Sequence, residues 1–197
     1  SCDLLVVGAG PAGSAAAIEA ASRGLSVVVL DKSRFPRDKC CGDGLTTGAL
    51  RHLRHLGVRT EGLASWRDID EALIVGPRGR SARFPLSAVD GAPAAVCRRR
   101  ELDQALVERA REAGATVLEG HEVSAVEPGP DQVTVATAER RFTARYAVAA
   151  DGMWSPFRRL LGLGGDGYRG EWHAFRQYWT GVTGSAADQL LVWFEPD

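Results

Sequence analysis

The chain has 197 residues, of which 45% are hydrophobic and 25% charged, and 24 basic against 25 acidic side chains leave a formal charge of -1. That make-up fits one globular domain and part of another, and excludes a disordered tail, a coiled coil and a general nucleic-acid binder, which needs a concentrated positive surface. Cys2, Cys40, Cys41 and Cys97 lack zinc-site or disulfide-framework spacing, so no metal is expected and a reducing cytoplasm is the default; no stretch reaches the about 18 apolar residues of a membrane span.

Residues 4–7 form a branched apolar run that stops at Gly8. A helical pattern from Ala12 to Arg23 closes at Gly24, and a second apolar run, Leu25 to Leu30, ends at Asp31. Strand, helix and strand within about 30 residues are the smallest unit of a parallel sheet with a covering helix. Near-continuous apolarity in both runs predicts strands buried on two faces.

The same stretch carries Gly8, Gly10 and Gly13 in GxGxxG order, with an acid 23 positions after Gly8. The first glycine permits a tight turn, the second lets a pyrophosphate approach the backbone, and the third permits close helix packing. The helix start offers unpaired amides to phosphate oxygens, and Asp31 can accept hydrogen bonds from ribose hydroxyls. An acid at this strand end disfavours the extra phosphate of NADP, leaving FAD and NAD.

Residues 33–44 then turn polar and irregular, which predicts a long functional loop. Thr46 or Thr47 can cap a helix running through Leu56. Residues 69–75 and 80–84 predict a hairpin about Gly76 to Gly79, and the segment from Ser87 to Ala95 returns the chain to its main domain. A helix over Glu101 to Ala113 presents Leu102, Ala105, Leu106, Arg109 and Ala113 as a stripe. Strands are expected at 115–118, 121–127, 132–137 and 142–149, followed by a short helix over 155–161 and a glycine-rich stretch over 162–170. Residues 171–180 and 188–194 predict a second, antiparallel sheet, whose last strand leaves an apolar edge that a further segment of a larger protein would cover. The expected class is α/β: a Rossmann-like domain joined to an incomplete antiparallel-sheet domain.

The opening resembles the FAD-binding amino end of the flavoprotein group that contains aromatic hydroxylases, flavin halogenases and geranylgeranyl reductases. Two later segments share that resemblance: Arg100 and Asp103 match the arginine and acid that begin a helix in the group, and Asp151, Gly152, Ser155 and Arg158 match its ADG segment. The resemblance implies FAD, with Gly8, Gly10, Pro11, Ala12, Gly13, Asp31, Lys32, Arg100, Asp151 and Gly152 as cofactor-binding residues. It also implies a division in which residues 1–68 and 97–165 build the FAD-binding domain, 69–96 supply strands to a substrate domain, and 166–197 begin that domain's sheet.

The loop SRFPRDKCCGDGL is more specific. Phe35, Pro36, Arg37, Asp38, Lys39, Cys41, Gly42 and Gly44 match the pattern of geranylgeranyl reductases and menaquinone-tail reductases, while Cys40 stands where these relatives often have proline. The resemblance makes Cys41 and Gly42 the catalytic-loop candidates and, from the later aromatic segments, Tyr178 and Trp193 the substrate-contact candidates. It implies an FAD-dependent oxidoreductase that reduces carbon-carbon double bonds of an isoprenoid lipid or quinone. An external electron donor such as NAD(P)H, a reductase partner and peripheral contact with the cytoplasmic membrane face accompany that expectation. The alternatives are an FAD-dependent hydroxylase or halogenase of aromatic substrates, and a noncatalytic FAD-binding module.

Overall fold

The computed structural model describes residues 1–86, 94–163, 175–183 and 190–195. The first strand, β1 (Cys2–Val7), leads through α1 (Pro11–Ser22) to β2 (Val27–Asp31), as the apolar runs predict. A short β3 (Gly44–Leu45) precedes α2 (Thr47–His55), whose cap is Thr46: its hydroxyl accepts the Ala49 amide at 3.3 Å. Then come β4 (Arg67–Ile69), β5 (Glu71–Val75), β6 (Ser81–Pro85), β7 (Ala94–Val96) and α3 (Arg99–Glu112). Strands β8 (Thr116–Glu119), β9 (Val123–Pro128), β10 (Val133–Thr137) and β11 (Arg141–Ala149), helix α4 (Pro156–Leu160) and strand β12 (Leu190–Trp193) complete the order.

The main sheet runs β8-β2-β1-β11-β10-β9. Its first four strands are parallel, with Val6 opposite Val29 and Val148, and β10 and β9 extend it antiparallel. Side chains of β1 alternate between two cores, as the strand period requires. Val6 joins Ile18, Val29, Leu50, Leu102 and Leu106 beneath α1, α2 and α3. Leu5 and Val7 join Leu30, Val135 and Phe157 on the opposite face. Burial on both faces explains why these strands read as unbroken apolar runs.

Two small sheets flank this layer. β3-β7-β4 is antiparallel throughout, and β12-β5-β6 contains the expected hairpin, β5 against β6. The expectation of a wholly antiparallel second sheet is corrected, because β12 pairs parallel to β5, Leu191 opposite Leu73. A strand arriving from a distant part of the chain is not bound to the reversal that a tight hairpin imposes. The strand expected over 171–180 is also corrected over its described part: residues 175–180 form no ladder. There the side chains of Arg176 and Tyr178 make the long-range contacts instead. The return segment at 87–93, the glycine-rich stretch at 164–170, residues 171–174 and the start of the last predicted strand at 188–189 lie outside the described residues.

Candidate functional site: a dinucleotide cleft

The cleft opens where the β1-α1 turn meets the ends of β2 and β11, the crevice at which parallel α/β sheets bind ligands. It encloses about 260 Å³ and is walled by Gly8, Gly10, Pro11 and Ala12 on one side and by Asp31, Lys32, Asp151 and Gly152 from neighbouring strand ends. Gly8 has φ +100°, and a Cβ there would stand 2.3 Å from the Ala150 carbonyl oxygen. At Gly13 a Cβ would stand 1.7 Å from the Gly8 carbonyl oxygen, so this glycine sets the approach of α1 to the turn and lies behind the cleft wall. Helix α1 begins with Gly10 as cap and Pro11 in its first turn, with no side chain capping it. Its free amides and the positive end of its dipole are therefore available to an anion.

Asp31 is 8% exposed and oriented by its own surroundings: Oδ2 accepts the Ala9 amide at 2.7 Å and Oδ1 the Ser33 amide at 2.8 Å. Each oxygen keeps a further lone pair for a ribose hydroxyl. Asp151 accepts the Phe157 amide through Oδ2 at 2.8 Å, so it helps start α4, as does Ser155, whose hydroxyl accepts the Arg158 amide at 3.1 Å. Its Oδ1 is buried with no hydrogen-bond partner among the described residues. A buried carboxylate oxygen of this kind costs stability unless a donor reaches it, and a cofactor hydroxyl in the cleft is such a donor.

The cleft also contains residues that sequence reasoning placed elsewhere or missed. Arg99, rather than the exposed Arg100, borders it, and Arg37 reaches it from the loop. Both arginines stand one turn before Asp103, so spacing does not separate them; in the structure Arg99 makes the ion pair with Asp103, and Arg100 is exposed. Arg99 pairs bidentately with Asp103, Nε at 2.7 Å and Nη2 at 2.8 Å, and Arg37 Nη1 meets the same carboxylate at 2.8 Å. Asp103 is fully buried, and its hydrogen bonds hold the Arg99 guanidinium above its ordinary pKa. Two guanidinium groups on one carboxylate leave a net positive charge beside Gly10, which suits a diphosphate. His121, Glu122 and Val123 close the cleft beside Asp31. The sheet order was the missing signal, because β8 pairs with β2 and the His121 amide donates to the Asp31 carbonyl at 2.8 Å.

The Phe35 to Gly44 loop lies against this cleft through Arg37 and Lys39. Cys41 is half-buried and near enough to the Arg99 guanidinium to affect it electrostatically, Cys40 is exposed, and both thiols are free. Gly42 is exposed, with open space where a Cβ would stand, and is not part of the cleft wall. Tyr178 donates its hydroxyl to Asp43 Oδ2 at 2.5 Å and is thereby joined to the loop, while Trp193 is exposed on β12.

Burial of the Tyr178 hydroxyl, reinforced by its bond to the Asp43 carboxylate, pushes the phenol up from 10 to about 12. A raised folded-state value stabilises the protein below the unfolded value, and that contribution is lost as pH rises through the folded one. The phenolate absorbance that Tyr178→Phe removes is therefore expected to emerge near pH 12, with the Tyr178 contribution to stability falling between pH 10 and about 12. A wild-type minus variant titration centred at pH 10 would contradict it.

Among the described residues no group of three His, Cys, Asp or Glu side chains could hold a metal ion, and no helix is long and apolar enough to cross a membrane. Comparison with known proteins agrees with the cofactor that this cleft fits. The chain is 34% identical over 200 residues to the menaquinone reductase of Mycobacterium tuberculosis, covering 93% of this chain and 44% of the relative. It is 36% identical over 173 residues to digeranylgeranylglycerophospholipid reductase 2 of Methanopyrus kandleri, covering 82% of this chain and 40% of the relative. The chain thus spans less than half the length of these relatives. Among solved structures, a geranylgeranyl bacteriochlorophyll reductase-like protein from Thermoplasma acidophilum superposes with a TM-score of 0.69 at 28% identity, over 82% of this chain and 42% of that one. CmlS, a flavin-dependent halogenase, superposes with a TM-score of 0.71 at 29% identity, over 82% of this chain and 31% of that one. The family model for an FAD binding domain matches residues 1–193, and with the glycine turn, the acidic strand end and the ADG segment all walling one cleft, the chain belongs to the FAD-binding domain family.

Proposed function

We propose that the full-length protein is an FAD-dependent oxidoreductase that saturates carbon-carbon double bonds of an isoprenoid chain carried by a lipid or quinone. The observation that carries this reading is the contact of the reductase-like loop with the FAD cleft, which Arg37 and Lys39 of that loop border. Relatives named for menaquinone and for digeranylgeranylglycerophospholipid reduction support the same substrate class.

FAD, when bound, supplies the hydride for such a reduction. In this reading the amides at the start of α1 receive the phosphates, and Arg37 and Arg99 offset their charge. Asp31 holds the ribose, Asp151 Oδ1 accepts a cofactor hydroxyl, and Lys32 screens the outer edge. Cys41 and Gly42 border the reacting end, where the glycine leaves room for the ring and the thiol packs against substrate or donates weakly to it. Sheet β12-β5-β6 begins the substrate domain, and its exposed Phe84 and Trp193, together with Phe194 and the ring of Tyr178, contribute to an apolar wall for the prenyl chain. NAD(P)H or a reductase partner recharges the cofactor, and the substrate arrives from the cytoplasmic face of a membrane by peripheral contact.

Anaerobic incubation of the complete, FAD-loaded and prereduced protein with matched long-chain and short-chain prenyl substrates tests this reading. The expected result is saturated product, formed faster from the long chain because each additional buried methylene adds roughly 0.8 kcal/mol of transfer free energy. Oxygen-dependent hydroxylation or halogenation of an aromatic compound, with no reduction of either alkene, would move the assignment to the halogenase-like reading that the likeness to CmlS favours.

A further inference from the structure

The turn at residues 42–44 carries an aspartate between two glycines. Asp43 has φ 60° and is the one non-glycine residue at positive φ among those described. Glycine adopts this conformation most freely and aspartate is among the few other residues enriched in it, so the backbone permits a carboxylate here without requiring one. The contacts of the side chain give one. Asp43 is 5% exposed, and Oδ2 accepts the Tyr178 hydroxyl. Oδ1 has no hydrogen-bond partner among the described residues and faces Arg176 Nη1 at 3.9 Å. The Asp43 carbonyl accepts the Cys97 amide at 3.0 Å, tying the turn to the end of β7.

Tyr178 is itself held. The Arg98 guanidinium lies 4.8 Å from its ring centroid and that of Arg176 4.6 Å, distances at which cations are attracted to an aromatic face. Arg176 also donates to the Lys39 carbonyl at 2.9 Å and pairs with Asp38. Three stretches distant in sequence, the cysteine loop, the entry to α3 and residues 176–178, therefore meet around the Asp43-Tyr178 pair.

We propose that Asp43 is a positioning residue, which through the Tyr178 hydroxyl fixes the Cys41-Gly42 turn against Arg99 and the FAD cleft. The proposal rests on the reductase reading for its catalytic consequence, but not for its structural one. A turn with two glycines has many accessible conformations, and one strong anchor beside them selects one. Residues 176–178 then serve as the strap that holds the turn in place.

The test uses the full-length, FAD-loaded protein and three substitutions. Asp43→Gly removes the carboxylate while keeping left-handed backbone accessible, Asp43→Asn keeps an acceptor oxygen, and Tyr178→Phe removes only the hydroxyl. With FAD content unchanged, kcat for prenyl reduction should fall about tenfold in Asp43→Gly and in Tyr178→Phe, with KM little altered, the size expected for losing a charge-assisted hydrogen bond. Asp43→Asn should recover most of the loss, and the Asp43→Gly, Tyr178→Phe double variant should be no worse than either single one. Alkylation of Cys41 by iodoacetamide, measured with Cys2 and Cys40 replaced by serine, should rise severalfold in the same two variants and return toward the wild-type rate in Asp43→Asn. Unchanged alkylation in both Asp43→Gly and Tyr178→Phe, or additive losses in the double variant, would overturn the proposal. If the wild-type protein reduces no prenyl alkene, the reductase reading falls, and the alkylation rates still decide the role of Asp43. Should Asp43→Gly fail to fold, Tyr178→Phe and Asp43→Asn carry the comparison.

Discussion

Gly10→Val protein is expected to fold and to purify without FAD. A Cβ at Gly10 would have as its nearest neighbours Arg37 Nη2 at 3.7 Å and Arg99 Nη2 at 3.9 Å, ordinary van der Waals distances, and the backbone is at φ -70°, open to any residue. The protein therefore has no steric objection to the change. The added methyl groups instead occupy the space between the start of α1 and the two guanidinium groups, where a pyrophosphate would lie. Losing even two of the charge-assisted contacts, at about 1.5 kcal/mol each, lowers affinity by about a hundredfold. Released-flavin absorbance per mole of protein, with circular dichroism as the folding control, measures the effect. Equal occupancy in the folded variant would remove the pyrophosphate from this turn. Gly13→Ala supplies the contrast: its Cβ would stand 1.7 Å from backbone, so the defect there is in folding itself.

Asp103→Ala should be among the most destabilising single changes in the chain. The carboxylate is fully buried and receives three hydrogen bonds from two arginines whose side chains are themselves only 18% and 16% exposed. Its removal strands two largely buried cations side by side, and breaking a buried pair in this way typically costs about 3–5 kcal/mol. The loss should be smaller at saturating FAD, because the diphosphate then offsets part of the unpaired charge. Denaturant unfolding of apo and FAD-loaded protein measures both quantities. A change below about 1 kcal/mol in the apo protein would mean that the network is an exposed ion pair in effect.

The glycine turn and the first two parallel strands, β1 and β2, were legible in the sequence because both follow from local rules. Unbroken apolar runs announce two-sided burial, and GxGxxG before a helix leaves few conformations open. The sequence offered Thr46 or Thr47 as a cap, and the structure uses Thr46. The residues that finish the site were not legible, because their positions depend on long-range packing. Choosing Arg99 over Arg100 requires the rotational setting of α3, which is fixed by burial of Leu102, Asp103 and Leu106; the apolar pattern pointed to a stripe through Arg109, whose Nε instead donates to the Leu56 carbonyl at 2.8 Å. His121 joins the cleft only because β8 sits beside β2. Residues 175–180 read as a strand from their alternating aromatics, yet Arg176 and Tyr178 are committed to the cysteine loop. Periodicity records burial along one element and carries no information about a partner more than a hundred residues away.

The pairing of β1 with β11 places Cys2 beside Ala144 and Val7 beside Ala149. During synthesis, the first strand of the chain leaves the ribosome long before the strand that will cover its flank. At translation rates of about 5–20 residues per second the delay is on the order of 10 s, far longer than a nascent helix needs to form. Throughout that interval Leu4 to Val7 can pair with β2 but keep an open edge, an arrangement prone to capture by other nascent chains. The strand order of this sheet therefore leaves the flank of β1 uncovered until β11 has been made.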